Sequence, residues 1–287
     1  MTNLPTPIPT KWPQPGNTIT RPTGIIYTIG QSLNQGAYAL VYEAADSFGN
    51  AVALKIFKPA NRPFDEVKAQ WDKETALFNR LRHPNIVAIY DSFICENLFY
   101  IALERAWGNL EQFVKATGAL NELTVKEIAR QLLFGIHFIH TQGVLQRDLT
   151  IYNVLVFEGP QSRGAIFKIS DFGISEAFTQ PWHKLSVSQT AHPLFRPPEL
   201  LNSGYTTEQS DLYHLGLILL YCLTSELPVN SAMTDQQIAQ AINDGIPRQR
   251  AESIKTPLGN FISVLLRRRE EYRFKTVLEA WQHLKSL

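Results

Sequence analysis

Alternating apolar and polar residues predict β-strands in two parts of the chain. From Tyr27 to Lys58 the sequence alternates and is rich in residues that favour strands, and Ser47-Phe-Gly-Asn50 has the composition of a turn. The run Ala165-Ile-Phe-Lys-Ile169 has the same strand character. We therefore expect a sheet in the first third of the chain and a further strand near its middle.

Two other segments carry apolar residues at helical spacing, and a third is apolar throughout. In Phe64–Leu81 these residues predict one buried face, formed by Val67, Trp71, Phe78 and Leu81. A second helix is predicted to begin at the capping box Thr124-Val-Lys-Glu127 and to end at Gly143. Its predicted buried face comprises Ile128, Leu132, Ile136 and Ile139. The longest apolar stretch, Leu215–Leu223, is too short to span a bilayer, so it predicts a buried helix.

The composition is that of a globular protein without strong charge. The 287 residues are enough for a two-lobed enzyme or for two small domains, and the hydrophobic content of 44% supports a packed core. The net charge of +1 argues against a nucleic-acid partner and against a role at a membrane surface. Cys95 and Cys222 fit no metal-binding spacing, so we expect both thiols to be reduced in a cytoplasmic protein.

The first 24 residues differ from the rest of the chain. Met1–Gly24 contains six prolines and no apolar run, so it predicts an extended tail. Neither a signal peptide nor a membrane anchor is expected here, and no membrane insertion is expected elsewhere.

Two acidic segments carry the strongest chemical signal. Asp148-Leu-Thr-Ile-Tyr-Asn153 offers an acid and an amide on an irregular loop, and Asp171-Phe-Gly173 follows the predicted strand near the middle of the chain. Carboxylate and amide oxygens suit Mg²⁺ bound to phosphate better than they suit Zn²⁺. His137 and His140 lack a third metal ligand, so we interpret them as packed or capping residues. The combination predicts phosphoryl transfer.

A buried ion pair is predicted between Lys55 and Glu74. Lys55 lies on the strand face that also carries Ala53 and Phe57, and Glu74 lies within the apolar face of the first helix. A lone buried carboxylate costs several kcal/mol, so Glu74 requires a partner. Lys55 could also extend its ammonium group to solvent, but the position of Glu74 favours the pair.

With these segments in this order, the chain resembles the eukaryotic-type (Hanks-type) protein kinases, most closely the Ser/Thr kinases. The resemblance implies an α+β bilobal fold, with a small β-rich N-lobe that contains one regulatory helix and a larger, mainly helical C-lobe. The tail would comprise residues 1–24 and the kinase domain residues 25–287. Within the domain, the N-lobe would span about 25–104, the hinge about 104–108 and the C-lobe about 109–287.

The resemblance also implies a role for each site residue. Asp148 would orient the acceptor hydroxyl and take its proton, Asn153 and Asp171 would hold Mg²⁺, and Lys55 with Glu74 would hold the ATP phosphates. Gly36 matches the glycine-rich loop over the phosphates. The remaining ATP-binding residues would enclose adenine or bond its edge: Leu33, Val41, Ala53, Leu103, Glu104, Ala106 and Leu155.

Regulatory and structural residues follow from the same resemblance. Arg147 would pair with a phosphate on the activation loop, which runs from Asp171 to Glu199. Its acceptors would be Ser186, Ser188 and Thr190, with Ser188 or Thr190 preferred. Glu199 would pair with Arg273, and Asp211 would anchor the catalytic loop.

Five positions depart from the kinase pattern. Asn34 and Ala39 replace two glycines, Gln146 replaces a histidine, Thr150 replaces a lysine, and His192 stands where Ser/Thr kinases usually carry threonine. These changes predict a slow or atypical kinase. Two alternatives stay open: a pseudokinase that acts as a nucleotide-binding scaffold, and a kinase-like enzyme that phosphorylates a small molecule. The sequence identifies no protein substrate.

Overall fold

The computed structural model describes residues 12–36, 39–59, 62–159, 164–173, 175–177, 183–184 and 192–287. The chain divides into two compact units. Unit 1 comprises the described residues up to Arg82 together with Val87–Ala106, and unit 2 comprises His83–Ile86 and the described residues from Trp107 to Leu287. None of the helices in the described ranges is long and apolar enough to cross a membrane.

Unit 1 is a six-stranded antiparallel sheet with the strand order β1-β2-β3-β4-β6-β5. Its strands are β1 (Thr18–Thr20), β2 (Ile26–Gln35), β3 (Ala39–Asp46), β4 (Ala51–Phe57), β5 (Ile89–Cys95) and β6 (Leu98–Glu104). Helix α1 (Phe64–Arg80) is the one helix among the described residues of this unit. The predicted turn joins β3 to β4, with Gly49 at a φ of 83°.

The two faces of the unit 1 sheet bury different residues. One face is a hydrophobic core that includes Val52, Leu54 and Ile56, the three β4 residues that alternate with Ala53, Lys55 and Phe57. Helix α1 buries Val67, Leu77 and Phe78, and its Trp71 indole donates a hydrogen bond to the Tyr100 carbonyl of β6. The predicted apolar face of α1 is therefore present, although Trp71 is only half-buried.

A strand lies inside the segment that the sequence predicts as an extended tail. Strand β1 pairs with β2, and Ile19 joins the sheet core with Trp12 packed against it. Arg21 forms an ion pair of 2.9 Å with Asp91 of β5. The sheet thus begins seven residues before the predicted boundary at residue 25.

Unit 2 is mainly helical. Its helices are α2 (Leu110–Thr117), α3 (Glu122–Thr141), α4 (Pro198–Ser203), α5 (Glu208–Thr224), α6 (Asp235–Asn243), α7 (Ile246–Ser253), α8 (Pro257–Leu265) and α9 (Val277–Lys285). Its short strands are β7 (Gly108–Asn109), β8 (Val144–Leu145), β9 (Val154–Glu158), β10 (Ala165–Ile169), β11 (Glu176–Ala177), β12 (His183–Lys184) and β13 (Tyr205–Thr206). Short 3-10 turns occupy Pro193–Phe195 and Glu270–Tyr272.

Helix α3 is the centre of unit 2 and packs against β10, α5 and α9. Its predicted buried face is confirmed, since Ile128, Leu132, Ile136 and Ile139 have no exposed surface. The predicted capping box is wrong: the helix begins at Glu122, and its N-cap is Asn121, whose side chain accepts a hydrogen bond from the Thr124 amide. Asparagine is a strong N-cap, and it occurs three residues earlier.

Helix α5 confirms the prediction for the longest apolar stretch. All residues from Ser210 to Cys222 are buried, so the helix is enclosed on every side. The polar residues within it therefore need partners inside unit 2. Two of them, Asp211 and Ser210, meet residues that lie far away in the sequence.

Candidate active site

The loop between β8 and β9 carries Asp148 and Asn153. Helix α3 delivers the chain to this loop through Gly143, whose φ of 66° allows the reversal of direction. The Asn153 amide group donates to the Asp148 carbonyl at 2.9 Å and to the Asp148 carboxylate at 3.0 Å. These bonds fix the carboxylate relative to the loop. They use only the NH₂ group of Asn153, so the side-chain oxygen of Asn153 can act as an electron-pair donor to another group.

Asp171 is held beside this loop by its neighbour Ser170. The amide and hydroxyl of Ser170 both donate to the Asn153 carbonyl, at 2.8 and 2.9 Å. Asp171 follows with a φ of 58°, and its carboxylate accepts a hydrogen bond from the Gly173 amide at 3.1 Å. The three predicted residues of the two acidic segments are thus brought together within unit 2.

The two carboxylates influence each other. The pKa of Asp148 is raised to about 7, first by removal of the group from water and second by the negative charge of Asp171. His214 and the Asn153 amide act in the opposite direction but are outweighed. A carboxylate with a raised pKa is a stronger proton acceptor, which is the property that a general base requires.

Asp211 anchors the catalytic loop from α5. Its carboxylate accepts hydrogen bonds from the backbone amides of Gln146 at 3.0 Å and Arg147 at 2.9 Å, as predicted. His140 lies 2.8 Å from the same carboxylate, so it is a structural partner of Asp211. Burial alone would raise the pKa of Asp211, but His140 and the neighbouring His214 hold it below the usual range for aspartate.

The donor set of this loop pair fits a hard divalent cation. Asp171 supplies a carboxylate oxygen, and Asn153 supplies an amide oxygen. The described part of the chain contains no group of three or more His, Cys, Asp or Glu residues that could hold a metal ion by themselves. Mg²⁺ commonly takes one or two protein oxygens and completes its shell with water and substrate phosphates. Two oxygen donors are therefore sufficient for this ion.

Lys55 and Glu74 form the predicted ion pair within unit 1. Lys55 Nζ lies 2.5 Å from Glu74 Oε1, and the two side chains are only 11% and 1% exposed. The register of β4 places Lys55 opposite Val41 of β3 and opposite Ile101 of β6, in the interior of the sheet. Phe57 adds a ring contact, with its centroid 5.4 Å from the ammonium nitrogen.

The other residues predicted to contact ATP are distributed over both units. In unit 1, Ala53 and Leu103 face each other across β4 and β6, and both are buried. Gly36 follows β2, where its carbonyl accepts a bond from Lys58. The Glu104 backbone amide donates to the Ala88 carbonyl, so this N–H is already engaged. Leu155 lies on β9 of unit 2 and is half-buried.

A model of the protein kinase domain family matches residues 27–284, which is nearly the whole chain. The chain belongs to the protein kinase family. This membership confirms the predicted fold class. The N-terminal part of the kinase is rich in β-strands, and the C-terminal part is mainly helical.

Several relatives are serine/threonine kinases by name. This kinase is 33% identical to the CBL-interacting serine/threonine-protein kinase 17 of Arabidopsis thaliana, over 72% of this chain and 48% of the relative. It is 30% identical to the probable serine/threonine-protein kinase PknB of Lactococcus lactis, over 75% of this chain and 34% of that protein. A third relative, the probable serine/threonine-protein kinase zyg-1 of Caenorhabditis briggsae, is 30% identical over 69% of this chain and 27% of that protein. The match thus spans less than half of each of these relatives.

The predicted regulatory positions of the kinase are only partly described. Ser186, Ser188 and Thr190 lie outside the described residues. Arg147 is almost fully buried and has a φ of 70°. Its pairing with a phosphate stays a prediction.

The structure also assigns a place to two departures from the kinase pattern. Thr150 is buried, and its hydroxyl accepts a bond from the Tyr152 amide, so it contributes to the turn of the catalytic loop. Gln146 is fully buried, and both ends of its amide are hydrogen-bonded. The sequence shows only that a buried amide here must be satisfied. Its partners lie in two separate segments and become visible only in the structure.

Glu199 and Arg273 form the predicted ion pair, and the structure shows that it is bidentate. Arg273 donates to both oxygens of Glu199 at 2.8 Å, and Ser210 donates to the same carboxylate at 2.6 Å. Burial alone would raise the pKa of Glu199, but Arg273 holds it below the usual range.

We expect Glu199→Gln to destabilise the kinase by about 3–5 kcal/mol, because it leaves the buried guanidinium without its counter-charge. Because the folded pKa is depressed, the contribution of Glu199 is present above the unfolded value of about 4.3 and lost as the pH falls through the folded value. Thermal unfolding measured from about pH 3 to about pH 7, a range that includes the unfolded pKa of glutamate, checks both points. The stability of the variant should depend less on pH.

The exposed pair of Glu127 with Arg130 serves as the control. Glu127→Gln should change stability by about 1 kcal/mol at most, since exposed ion pairs contribute little. Equal losses in the two variants would contradict the structural role assigned to Glu199.

Proposed function

We propose that this kinase transfers the γ-phosphoryl group of ATP to serine and threonine hydroxyls of proteins, with Mg²⁺ as cofactor. The observation that carries the proposal is the hydrogen-bonded arrangement of Asp148, Asn153 and Asp171 in unit 2. One carboxylate of raised pKa lies beside a second carboxylate and an amide oxygen. Phosphoryl transfer requires a general base and metal ligands that lie close to each other.

Asp148 would act on the acceptor hydroxyl. It orients the hydroxyl oxygen toward the γ-phosphorus and takes the proton as the new oxygen–phosphorus bond forms and the bond to the ADP oxygen breaks. Asn153 keeps the Asp148 carboxylate in position through its bond at 3.0 Å. A pKa of about 7 makes this carboxylate a better base than an ordinary aspartate near neutral pH.

Asp171 and the amide oxygen of Asn153 would hold Mg²⁺. When bound, this ion neutralises charge on the β- and γ-phosphates. Lys55, held in position by its ion pair with Glu74, would bind the α- and β-phosphates. Leu33, Val41, Ala53 and Leu155 would contact adenine, and the backbone of Glu104 and Ala106 would bond its edge.

Thr150 lowers the expected rate of the enzyme. A lysine at this position would bring a positive charge to the transferring phosphate, whereas Thr150 is neutral and buried. Electrostatic groups of this kind contribute about 10²–10³-fold to rates in other enzymes. We therefore expect a working kinase of low turnover.

The acceptor class is tested by labelling with γ-³²P-ATP. A generic basic protein and a mixture of hydroxyl-bearing metabolites serve as parallel acceptors, followed by acid hydrolysis and separation of the phosphoamino acids. We expect label on phosphoserine and phosphothreonine. Label confined to phosphotyrosine or to a metabolite would contradict the proposed acceptor class.

A further inference from the structure

His214 carries an imidazole ring that unit 2 encloses completely. It lies on α5, one turn after Asp211, and its side chain has no exposed surface. Within the part of the chain that the structure describes, neither of its ring nitrogens has a hydrogen-bond partner. Buried polar groups are normally hydrogen-bonded, and a side chain without polar atoms would fill this space at lower cost. The ring nitrogens of His214 therefore need an explanation other than packing.

Asp211 provides His214 with a charged neighbour. His214 Nδ1 lies 3.8 Å from Asp211 Oδ1, which is too far for a hydrogen bond but short enough for an ion pair once the ring is protonated. The same oxygen accepts the backbone N–H of Arg147 at 2.9 Å, and Arg147 directly precedes Asp148. His214 thus lies against the carboxylate that holds the catalytic loop, at the residue before the proposed base.

The other charged and titratable groups around this part of α5 have partners or a fixed charge. His140 Nε2 on α3 lies 2.8 Å from Asp211 Oδ2, and its Nδ1 lies 3.9 Å from Glu208. Arg147 is buried and carries a permanent positive charge. Helix α8, which also packs against α5, contains no titratable side chain. Charged side chains on neighbouring elements form ion pairs, namely Arg248–Glu252, Arg250–Glu226 and Glu199–Arg273. A change of charge in this cluster near neutral pH therefore comes from histidine.

A positive charge on His214 affects the ionisation of Asp148. Burial and the charge of Asp171 raise the pKa of Asp148 to about 7, whereas His214 acts to lower it. The direction follows from electrostatics, since a nearby cation favours the carboxylate over the neutral acid. Loss of the imidazolium would therefore keep Asp148 protonated up to a higher pH, and a protonated Asp148 cannot take the proton of the acceptor hydroxyl.

We propose that His214 is a positioning residue that acts through Asp148: when protonated, it keeps the carboxylate of the base ionised on the acid side of neutrality. The proposal rests on the function proposed above, which gives Asp148 the role of general base. Histidine suits this role because its side chain ordinarily gains charge near a pH of about 6.5, where a base with a raised pKa begins to be protonated. The kinase would thus retain activity as the pH falls below neutral.

The test replaces His214 with glutamine, which is polar and cannot gain a charge. The titration of Asp148 is followed by ¹³C NMR of the aspartate carboxyl carbons, with its signal assigned from Asp148→Asn. We expect the pKa of Asp148 to be higher in His214→Gln than in the unaltered protein. The acid limb of the kcat/KM profile should move in the same direction, so that the variant is about tenfold slower at about pH 6 and equally fast at about pH 9.

Ser210→Ala is the matched control on the same helix. Ser210 is buried one turn before His214 and is hydrogen-bonded to Glu199 and to the Thr207 amide. Its replacement removes buried hydrogen bonds without changing a charge, so it should lower the melting temperature and leave the titration of Asp148 unchanged. An equal change of this titration in Ser210→Ala and in His214→Gln would overturn the proposal.

Two further measurements keep the proposal testable if His214→Gln does not fold. His214→Asn is a second neutral variant, and an unchanged pKa of Asp148 in the variant that folds would overturn the proposal. In the unaltered protein, the ¹⁵N signals of the His214 ring should show the charged form at about pH 6. A neutral ring at that pH would overturn the proposal without any variant.

The NMR titration also separates this proposal from the proposed function. It reads the ionisation of Asp148 in a protein that transfers no phosphate. Failure of the proposed function would abolish transfer at every pH but would not abolish the effect of His214 on the titration.

Discussion

Asp148→Asn is expected to lower kcat by about 10²–10⁴-fold, the usual contribution of a general base. Asparagine retains an oxygen that can accept the Asn153 amide bond of 3.0 Å, so the loop should keep its shape. It cannot take a proton from the acceptor hydroxyl. Steady-state kinetics measure the loss, and titration with Mg-ATP should show that nucleotide binding is preserved.

Asp244→Asn is the matched control for this substitution. Asp244 is exposed at the C-terminal end of α6 in the same unit and accepts a hydrogen bond from Gln240. It should leave kcat unchanged. If Asp148→Asn were as active as Asp244→Asn, Asp148 would not be the base.

Lys55→Met should destabilise unit 1 by about 3–5 kcal/mol, because Glu74 then remains buried without its counter-charge. The pair is only 11% and 1% exposed, and its atoms are 2.5 Å apart. The double variant Lys55→Met with Glu74→Gln should lose less than the sum of the two single losses, since neither charge is left unpaired. Denaturant unfolding of the four proteins gives this coupling free energy. Both single variants should also bind Mg-ATP more weakly.

Lys68 and Asp72 provide a control pair on α1, the helix that carries Glu74. Their contact of 2.6 Å is equally close, but their side chains are 43% and 50% exposed. Lys68→Met should therefore cost at most about 1 kcal/mol. Equal effects at Lys55 and Lys68 would show that burial of the pair does not determine its importance.

Local patterns in the sequence predict the elements whose residues are adjacent in the chain. Strand β10 has the predicted limits, and the buried faces of α1 and α3 follow from helical spacing. The Lys55–Glu74 pair is also predictable, because a charge within an apolar face requires a partner and one lysine faces the interior.

Features that depend on distant contacts are not predictable in this way. Strand β1 has three residues among prolines, and only its pairing with β2 makes it a strand. A local match to a capping box predicts an N-cap at Thr124, whereas Asn121 forms the cap. The saturation of the Gln146 amide requires the loops of Asp148 and Asp171 to meet, which no local pattern reveals.

The most direct measurement is transfer of ³²P from Mg-ATP by the full chain, with autophosphorylation and a generic basic protein as acceptors. An Asp171→Asn protein, shown to be folded by its thermal unfolding, is measured in parallel. We predict incorporation by the unaltered protein that disappears in the variant, because Asp171 supplies the carboxylate for Mg²⁺. Absence of incorporation by the folded, unaltered protein, or equal incorporation by both, would contradict the assignment of this chain as an active kinase with its metal ligand at Asp171.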